Sequence, residues 1–226
     1  ANSAVIQVAN TSTGTLVKNT SDWTTKLEGG FSSHTFVARY PGKKGDNIKV
    51  GIIGSGGTLS GFVDGTIDLG KNFDYNPATT DYADARGGTH DEVHVIVYDS
   101  TGILTGTKGT VLEKYSGLSL ATDAKDSFGA SNYIVDVLYN QSKWIYFTGD
   151  WTSISTGTST NWESKTASTD FKVALTSLGA AFKLVQLGGG ADANPTVENR
   201  ATLYSTLWAD KETTDVSFLI GGAGLV

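Results

Sequence analysis

The run of eight residues from Glu92 to Asp99 constrains the fold of this chain more than any other segment. Every second position from 93 to 97 is valine, and the positions between and after them are His, Ile and Tyr, so both faces of an extended strand would be largely apolar. Strands with two apolar faces lie inside sheets that are covered on each side. The sequence therefore predicts a central strand here, with a covering layer on both faces of its sheet.

Composition favours strands joined by polar turns. The 226 residues include 28 Gly and only 3 Pro, and 38% of them are hydrophobic. A chain of this length can bury a sizeable core as one large or two small domains. The net charge of −6 argues against a duplex nucleic-acid partner, because phosphate contacts need clustered Lys and Arg. No apolar stretch approaches the roughly 18 residues of a membrane span.

The chain contains neither Cys nor Met. The lack of Cys removes a disulfide framework, a thiolate zinc site and a cysteine nucleophile from consideration. A chain that begins at Ala1 and has no Met is expected to be processed, or excised from a longer protein. The strand-like run 216–220 near its end agrees with this expectation.

Periodicity predicts an α+β fold that is rich in β-structure: a mixed β-sheet flanked by helices, with long Gly/Ser/Thr-rich loops at 54–90 and 149–181. Residues 1–33 are predicted to form a short β-rich segment or the end of a separate small β domain. Residues 34–226 are predicted to form the main domain, truncated at its C-terminus. Further strands are predicted at about 34–40, 47–53, 110–115, 144–147 and 182–185, together with one or two short strands near 59–63.

Two helices are predicted to cover the sheet. The first would begin after Ser131 as its N-cap and bury an apolar stripe of four residues, Tyr133, Ile134, Val137 and Leu138. The second would begin near Asn194-Pro195 and bury Tyr204 and Trp208, where Pro suits the first turn.

A turn-forming stretch joins the first two strands of the main domain. In Tyr40–Val50, Pro41 fixes φ, and Gly42 and Gly45 permit positive φ. The stretch predicts a strand, a rigid corner and a second strand.

The pattern Tyr-Pro-Gly-x-x-Gly-Asp-Asn at residues 40–47 resembles the corner that opens the middle region of contractile tail sheath proteins, from phages with long contractile tails. Two further blocks follow in the order of that family. The first contains the strand from Val93, a Glu-x-Tyr strand at 113–115, a short helix, and the stretch 140–145 that leads into the next strand. The second contains the Gly-rich run 187–192, a helical stretch and the apolar strand 215–222. The resemblance covers about residues 34–53, 91–148 and 182–224.

The resemblance implies a structural protein with no enzymatic activity and no cofactor. Such subunits assemble as stacked hexameric rings around a tail tube, and the array contracts to drive the tube through the host envelope. The partners would be other sheath subunits and the tail tube, with no nucleic acid and no membrane. The location would be the virion tail, assembled in the bacterial cytoplasm. This chain would be the middle, outward-facing part. The tube-contacting domain and the strand-adding arms lie outside the matched segments, so the isolated chain is expected to be monomeric.

No pattern for catalysis, cofactor binding or metal binding stands out. His90 and His94 flank Asp91 and Glu92, but a zinc site needs three or four ligands with defined spacing, and His34 is distant in sequence. The Gly-rich run 54–61 follows a strand, yet it lacks the Lys-Ser/Thr pair and the helix of a phosphate loop. A further set of acidic residues misses the spacing of a calcium loop: Asp64, Asp68, Asp74, Asp81 and Asp84.

Trp151 and Trp162 leave two interpretations open. Exposed indoles stack on sugar rings, so the alternative function is a carbohydrate-binding β-rich module that uses these two residues. The other interpretation is that they pin their loop to the domain. For the function of the whole chain, a hydrolase fragment is a third hypothesis. If the chain is a sheath piece, the loop 149–179 is expected to be an outer excursion whose shortening leaves the core folded.

Overall fold

The computed structural model describes residues 35–39, 42–151, 162–171 and 181–190. The chain divides into two compact units, one of Gly14–Gly190 and one of Ala1–Thr13 with Ala191–Val226. All described residues belong to the first unit. The predictions for residues 1–33, for the helix that carries Tyr204 and Trp208, and for the strand at 215–222 lie outside the described residues, as does His34.

The described part combines several antiparallel sheets with few helices, which agrees with a β-rich α+β class in the broad sense. Its strands are β1 (Phe36–Ala38), β2 (Ile48–Gly54), β3 (Val63–Asp64), β4 (Ile67–Asp68), β5 (Glu92–Asp99), β6 (Val111–Ser119), β7 (Ile145–Phe147) and β8 (Phe182–Gln186). Its α-helices are α1 (Asp81–Asp84) and α2 (Ile134–Gln141), and 3₁₀ helices occur at Lys43–Asn47, Leu59–Gly61 and Gly70–Asn72. Among these elements, no helix is long and apolar enough to cross a membrane.

The largest sheet has the strand order β6-β5-β2-β8, and every ladder between its strands is antiparallel. The predicted mixed sheet is therefore not seen among the described strands. β5 pairs with β2 from Ile48↔Asp99 to Gly54↔Val93. All eight residues of β5 are buried, which confirms the prediction of a central strand covered on both faces. β6 continues to Ser119, beyond its predicted end.

One face of this sheet carries the main core. Alternate residues of β2 and β5 pack there with α2, with the two-stranded sheet β1–β7 and with apolar residues of the segment 162–171. Its fully buried members include Val50, Ile52, Val93, Val95, Val97, Ile134, Leu138, Ile145, Phe147 and Phe171. The predicted stripe of α2 is confirmed for Ile134, Val137 and Leu138, which are all buried, but Tyr133 precedes the helix and is only half-buried.

The opposite face is covered by residues 59–73, which form two 3₁₀ helices around the hairpin β3–β4. Phe62, Leu69 and Phe73 from this segment pack on Ile53 and Ile96 of the sheet. The predicted long loop at 54–90 with one or two short strands agrees with the structure in outline, since β3 and β4 have two residues each. The prediction did not include the packing role of this segment, whose few apolar side chains are the second covering layer that β5 requires.

Gly51 sets how closely that layer approaches the sheet. A Cβ added at Gly51 would lie 2.8 Å from Cζ of Phe62 and 3.0 Å from Cγ2 of Ile96, and both of these side chains are fully buried. We expect Gly51→Ala to lower the free energy of unfolding by about 2 kcal/mol through overpacking, measured by chemical denaturation. Gly61→Ala is the matched control, because its nearest neighbour would be 3.5 Å away. Equal effects of the two variants would contradict this account.

The corner between β1 and β2 differs in detail from the prediction. Gly42 has φ 115°, as expected, but Gly45 lies inside the 3₁₀ helix and is not among the glycines with positive φ. The two strands also belong to different sheets, since β1 pairs with β7 and β2 with β5 and β8. The corner therefore transfers the chain from one sheet to the other.

The helix α2 begins later than predicted. Its N-cap is Tyr133, which makes no side-chain capping bond, so the assignment of Ser131 as N-cap is wrong. The carbonyl of Asn132 still accepts the amide of Ser119, which keeps the chain extended up to that point. Ser131 Oγ instead donates to Asp136 Oδ2 in the first turn at 2.7 Å.

Arg39 binds the other end of α2. Its Nη2 donates to the carbonyls of Leu138, at 3.2 Å, and Tyr139. Its guanidinium also lies 4.2 Å from the ring centroid of Tyr146. A cation here satisfies terminal carbonyls and suits the negative end of the helix dipole. Arg39 follows β1, so the bond ties the small sheet to α2.

Candidate functional site

His94, a fully buried candidate metal ligand, uses both ring nitrogens within the protein. Nε2 donates to the carbonyl of Tyr75 at 2.8 Å, and Nδ1 accepts from the amide of Gly117 at 3.0 Å. Both bonds are satisfied by the tautomer that carries its proton on Nε2. The ring is fully buried and stacks on Phe73 with centroids 4.9 Å apart. The side chain therefore has no lone pair directed at a metal.

Asp91 and Glu92 face other partners. Asp91 is fully buried and accepts from the amide and the hydroxyl of Thr80, at 2.8 and 2.7 Å, and from the hydroxyl of Ser119. Glu92 accepts from the amide of Ala78 at 2.9 Å. These bonds hold residues 78–80 against the start of β5 and the end of β6. They account for both carboxylates as structural acceptors.

His90 differs from His94 in that its ring is exposed and its partner is a carboxylate. Its backbone has φ 65°, its Nδ1 lies 2.9 Å from Asp170 Oδ1, and the hydroxyl of Thr89 shares the same carboxylate oxygen. Within the described ranges, no group of three or more acidic or His side chains is arranged to hold a metal ion. The pair instead joins two chain segments that are 80 residues apart.

The Gly-rich run 54–61 does not form an anion cradle. The amide of Gly57 donates to Gly54 O and that of Gly61 to Thr58 O, each at 3.0 Å. The amide of Leu59 donates to the side chain of Asn76 at 2.8 Å. The element that follows is a 3₁₀ helix of three residues, Leu59–Gly61. These amides are committed to the protein, so they do not converge on a phosphate.

The acidic residues of the same region act separately. Asp64 Oδ2 accepts from Lys49 Nζ at 2.8 Å and from the hydroxyl of Tyr98 at 2.9 Å. Burial raises the pKa of Asp64, but these two hydrogen bonds outweigh it and leave the pKa below its ordinary value. Burial and the same carboxylate raise the pKa of Tyr98. Asp68 accepts only from the amide of Lys71, among the bonds described for it. This pattern is structural and does not form a calcium loop.

The two tryptophans that motivated the carbohydrate alternative are buried. Trp151 is 8% exposed and Trp162 is 3% exposed, and their rings stack with centroids 5.8 Å apart. Trp151 also packs on Phe147, and its Nε1 donates to Ser164 Oγ at 3.0 Å. Neither ring offers a free face for a sugar. The structure therefore supports the interpretation that the indoles pin their segment to the domain.

A glycan titration tests this arrangement. We expect soluble glycans to cause no saturable change in tryptophan fluorescence, because the faces of Trp151 and Trp162 are occupied by each other and by Phe147. The matched comparison is the Trp151→Phe variant, which should respond in the same way as the original chain. A saturable signal that disappears in this variant would revive the carbohydrate function.

The prediction that residues 149–179 form an outer, dispensable excursion is also wrong for part of that range. Ala167 and Phe171 are fully buried in the main core. Thr89 exchanges backbone bonds with this segment, donating to Thr169 O at 3.1 Å and accepting from Phe171 N at 2.7 Å. A Cβ on Gly88 would lie 1.6 Å from Ala167 O, so the close approach requires glycine. Residues 162–171 are part of the folded core.

Asp99, whose carboxylate holds the turn from β5 to β6, was not among the candidate residues identified from the sequence. Asp99 is fully buried, and its carboxylate accepts four backbone amides: Thr101 at 3.2 Å, Gly102 at 2.8 Å, Leu104 at 2.9 Å and Thr105 at 2.8 Å. Burial raises the pKa of this carboxyl, but the hydrogen bonds from Thr105, Gly102 and Thr101 outweigh it and leave the pKa lowered. The available signal was an Asp at the end of a strand, followed by a Gly- and Thr-rich turn.

A second missed feature joins the corner before β2 to the Gly-rich run after β8. The amide of Gly190 donates to Asp46 Oδ1 at 2.7 Å, across 144 positions of sequence. A Cβ on Gly190 would lie 2.3 Å from Gly42 O. The side chain of Gln186 also donates to the carbonyls of Asp46 and Ile48, at 2.7 and 2.9 Å. The two Gly-containing stretches therefore form one contact.

Neither the protein-family models nor the curated proteins include a match to this chain.

Proposed function

We propose that this chain is the middle, outward-facing part of a contractile tail sheath subunit from a long-tailed phage. In this role it has no catalytic task. It is carried as a rigid body while the array of subunits passes from an extended to a shorter, wider arrangement.

The contact between Asp46 and Gly190 is the observation that carries this proposal. The sequence resemblance rests on separate blocks, and these two residues belong to the first and the last of them. Blocks that matched by chance would have no reason to meet in space. Here the Asp46 carboxylate accepts the Gly190 amide at 2.7 Å, and the space beside Gly42 admits only a glycine at position 190.

The placement of the other matched stretches also supports the proposal. The strands at 48–54, 92–99, 111–119 and 182–186 all fall in matched blocks or directly continue them, and they form one sheet. The stretch without a match, 55–90, supplies the layer on one face of that sheet. Members of one protein family can share a sheet and differ in the segment that covers one of its faces.

The packing suits a rigid body. The sheet is covered on both faces, and the turn after β5 is held by one carboxylate with four amides. In a contractile array, the change of state would take place in the contacts between subunits, and bodies of this kind would move without internal rearrangement.

Immunolabelling of intact phage particles tests the proposal. Antibodies raised against the isolated chain are expected to decorate the outer surface of the tail along its whole length, in both extended and contracted particles, as seen by negative-stain electron microscopy. Antibodies adsorbed with the chain provide the control. Labelling confined to the head, the baseplate or the fibres would overturn the assignment.

A further inference from the structure

The two most exposed large apolar residues in the described part of the chain lie at opposite ends of the β5–β6 hairpin. Phe128 is 94% exposed and Ile103 is 71% exposed. Ile103 belongs to the turn that joins Asp99 to Val111, and Phe128 belongs to a turn closed by the isolated antiparallel bridge between Lys125 and Ser131. Because Glu92 pairs with Ser119 and Tyr98 with Val111, these positions lie beyond opposite ends of the paired strands. The paired strand β5 between the two ends has eight residues and is about 26 Å long.

The backbone around Phe128 is ordered without any contribution from the phenyl ring. Asp126 Oδ1 accepts the amides of Phe128 and Ala130, each at 2.9 Å. Asp126 and Ala130 also share a backbone bond at 2.9 Å, and Gly129 adopts φ 85° to close the turn. An apolar side chain on a preordered turn loses little conformational entropy when it binds. Folding does not explain why this position is Phe.

The turn that carries Ile103 is built on the same plan. Asp99 accepts the amides of the surrounding residues and fixes the backbone on both sides of Ile103. Thr101 Oγ1 further donates to Asn47 Oδ1 at 2.8 Å, which ties this turn to the 3₁₀ helix Lys43–Asn47. Each end of the sheet therefore presents one large apolar side chain on a rigid turn.

The net charges of the two ends have opposite signs. We define the basic end as residues 42–47 and 100–110, and the acidic end as residues 80–91 and 120–131. The exposed charged side chains of the basic end are the cations Lys43, Lys44 and Lys108, and its one anion, Asp46, is half-buried and accepts the Gly190 amide. Those of the acidic end are mainly anions, Asp81, Asp84, Asp123 and Asp126, with Arg86 and Lys125. The ends of one molecule are thus complementary to each other and not to themselves.

We propose that the acidic end of one copy of this chain docks on the basic end of a second copy, with Phe128 meeting Ile103. The proposal rests on the proposed function, in which copies of the chain stand next to one another in an array. A contact between two different ends of the same molecule repeats head to tail and suits an open or helical assembly. Like charges would oppose an acidic end meeting another acidic end.

This contact is weak for an isolated pair. One turn tip on another covers far less than the roughly 1,000 Å² of a stable interface, so we still expect the isolated chain to sediment as a monomer. Within an array, neighbours are held at high effective concentration, and a weak contact becomes populated. Both Phe128 and Ile103 would then leave water.

Disulfide trapping tests the docking. Because the chain contains no Cys, the introduced cysteines are the only thiols in the experiment. One preparation carries Ser127→Cys, beside Phe128, and a second, isotopically labelled preparation carries Thr107→Cys, beside Lys108. After mild oxidation of the mixture, the mixed disulfide is expected to exceed its statistical share about tenfold, the lower range of electrostatic steering. The excess should disappear in about 1 M salt. Rates are normalised to the reactivity of each thiol with a small disulfide.

Two variants and one control position decide the result. Adding Phe128→Ala to the first preparation, or Lys108→Glu to the second, should return the mixed disulfide to its statistical share. Ser116→Cys, exposed in the middle of β6, replaces Thr107→Cys as the control and should show no excess. A statistical mixture, an excess that survives Phe128→Ala, or a dominant disulfide between two Ser127→Cys chains would each overturn the docking. None of these outcomes bears on whether antibodies label the phage tail.

Discussion

Replacing Phe171 by Ala is expected to lower the free energy of unfolding by about 4 kcal/mol, the largest effect that we predict for any single side chain. Phe171 is fully buried in the main core. Its amide donates to Thr89 O at 2.7 Å, which fixes the backbone and limits how far the site can collapse around a cavity. The loss should appear in chemical denaturation as a lower midpoint with an unchanged slope.

Phe128→Ala is the matched control for this variant. It removes the same atoms from a side chain that is 94% exposed, so the free energy of unfolding should change by less than about 0.5 kcal/mol. A loss below about 1 kcal/mol for Phe171→Ala would show that residues 162–171 do not belong to the core. The idea of a dispensable outer excursion from 149 to 179 would then return.

The second large effect is expected at Asp99. Asp99→Asn keeps the size of the side chain but replaces one acceptor oxygen with an NH₂ group that faces backbone amides. The amides of Thr101 and Gly102 donate to Oδ1, and those of Leu104 and Thr105 donate to Oδ2. Whichever oxygen is replaced, two backbone amides therefore lose their acceptor. We expect the free energy of unfolding to fall by about 3 kcal/mol, from lost charge-assisted bonds and unsatisfied donors. Asp74→Asn, at an exposed position, is the control and should change it by less than about 0.5 kcal/mol.

The same residue predicts a pH dependence. The pKa of Asp99 is lowered in the folded state, since the hydrogen bonds from Thr105, Gly102 and Thr101 outweigh the effect of burial. A carboxyl with a lowered folded pKa stabilises the fold above its unfolded pKa of about 3.9, and this stability is lost as pH falls through the folded pKa. The original chain should therefore lose stability below about pH 4 more steeply than Asp99→Asn. Parallel curves of unfolding free energy against pH would contradict this.

Much of the sheet could be predicted from sequence because each strand carries its own burial pattern. β5 is the clearest case: its two apolar faces predicted a covered central strand, and all eight residues are buried. The apolar runs at β7 and β8 were recognised in the same way. The stripe of α2 was also correct, whereas its start was not, because a backbone bond between Asn132 and Ser119 delays the helix.

The layer formed by residues 59–73 could not be predicted, because its apolar residues are too sparse to form a period. Phe62, Leu69 and Phe73 are separated by polar and Gly-rich stretches, and each is buried by the sheet and not by its neighbours in sequence. Trp151 and Trp162 were predicted to lie in a loop because the stretch around them is also rich in polar residues. Their partners are each other and Phe147, so only the folded chain reveals that they are buried.

Local periodicity and composition were enough to predict the β-rich class, the positions of the main strands and the lack of cysteine chemistry, because these properties do not depend on contacts between distant residues. The side chains that organise the fold could be recognised only from contacts in the folded chain. Asp99 matters because four amides converge on it, and Gly190 because it must approach Gly42 closely. Asp46 matters because an amide 144 positions away needs an acceptor. Convergence of this kind depends on contacts between distant residues, and no window along the chain contains both partners.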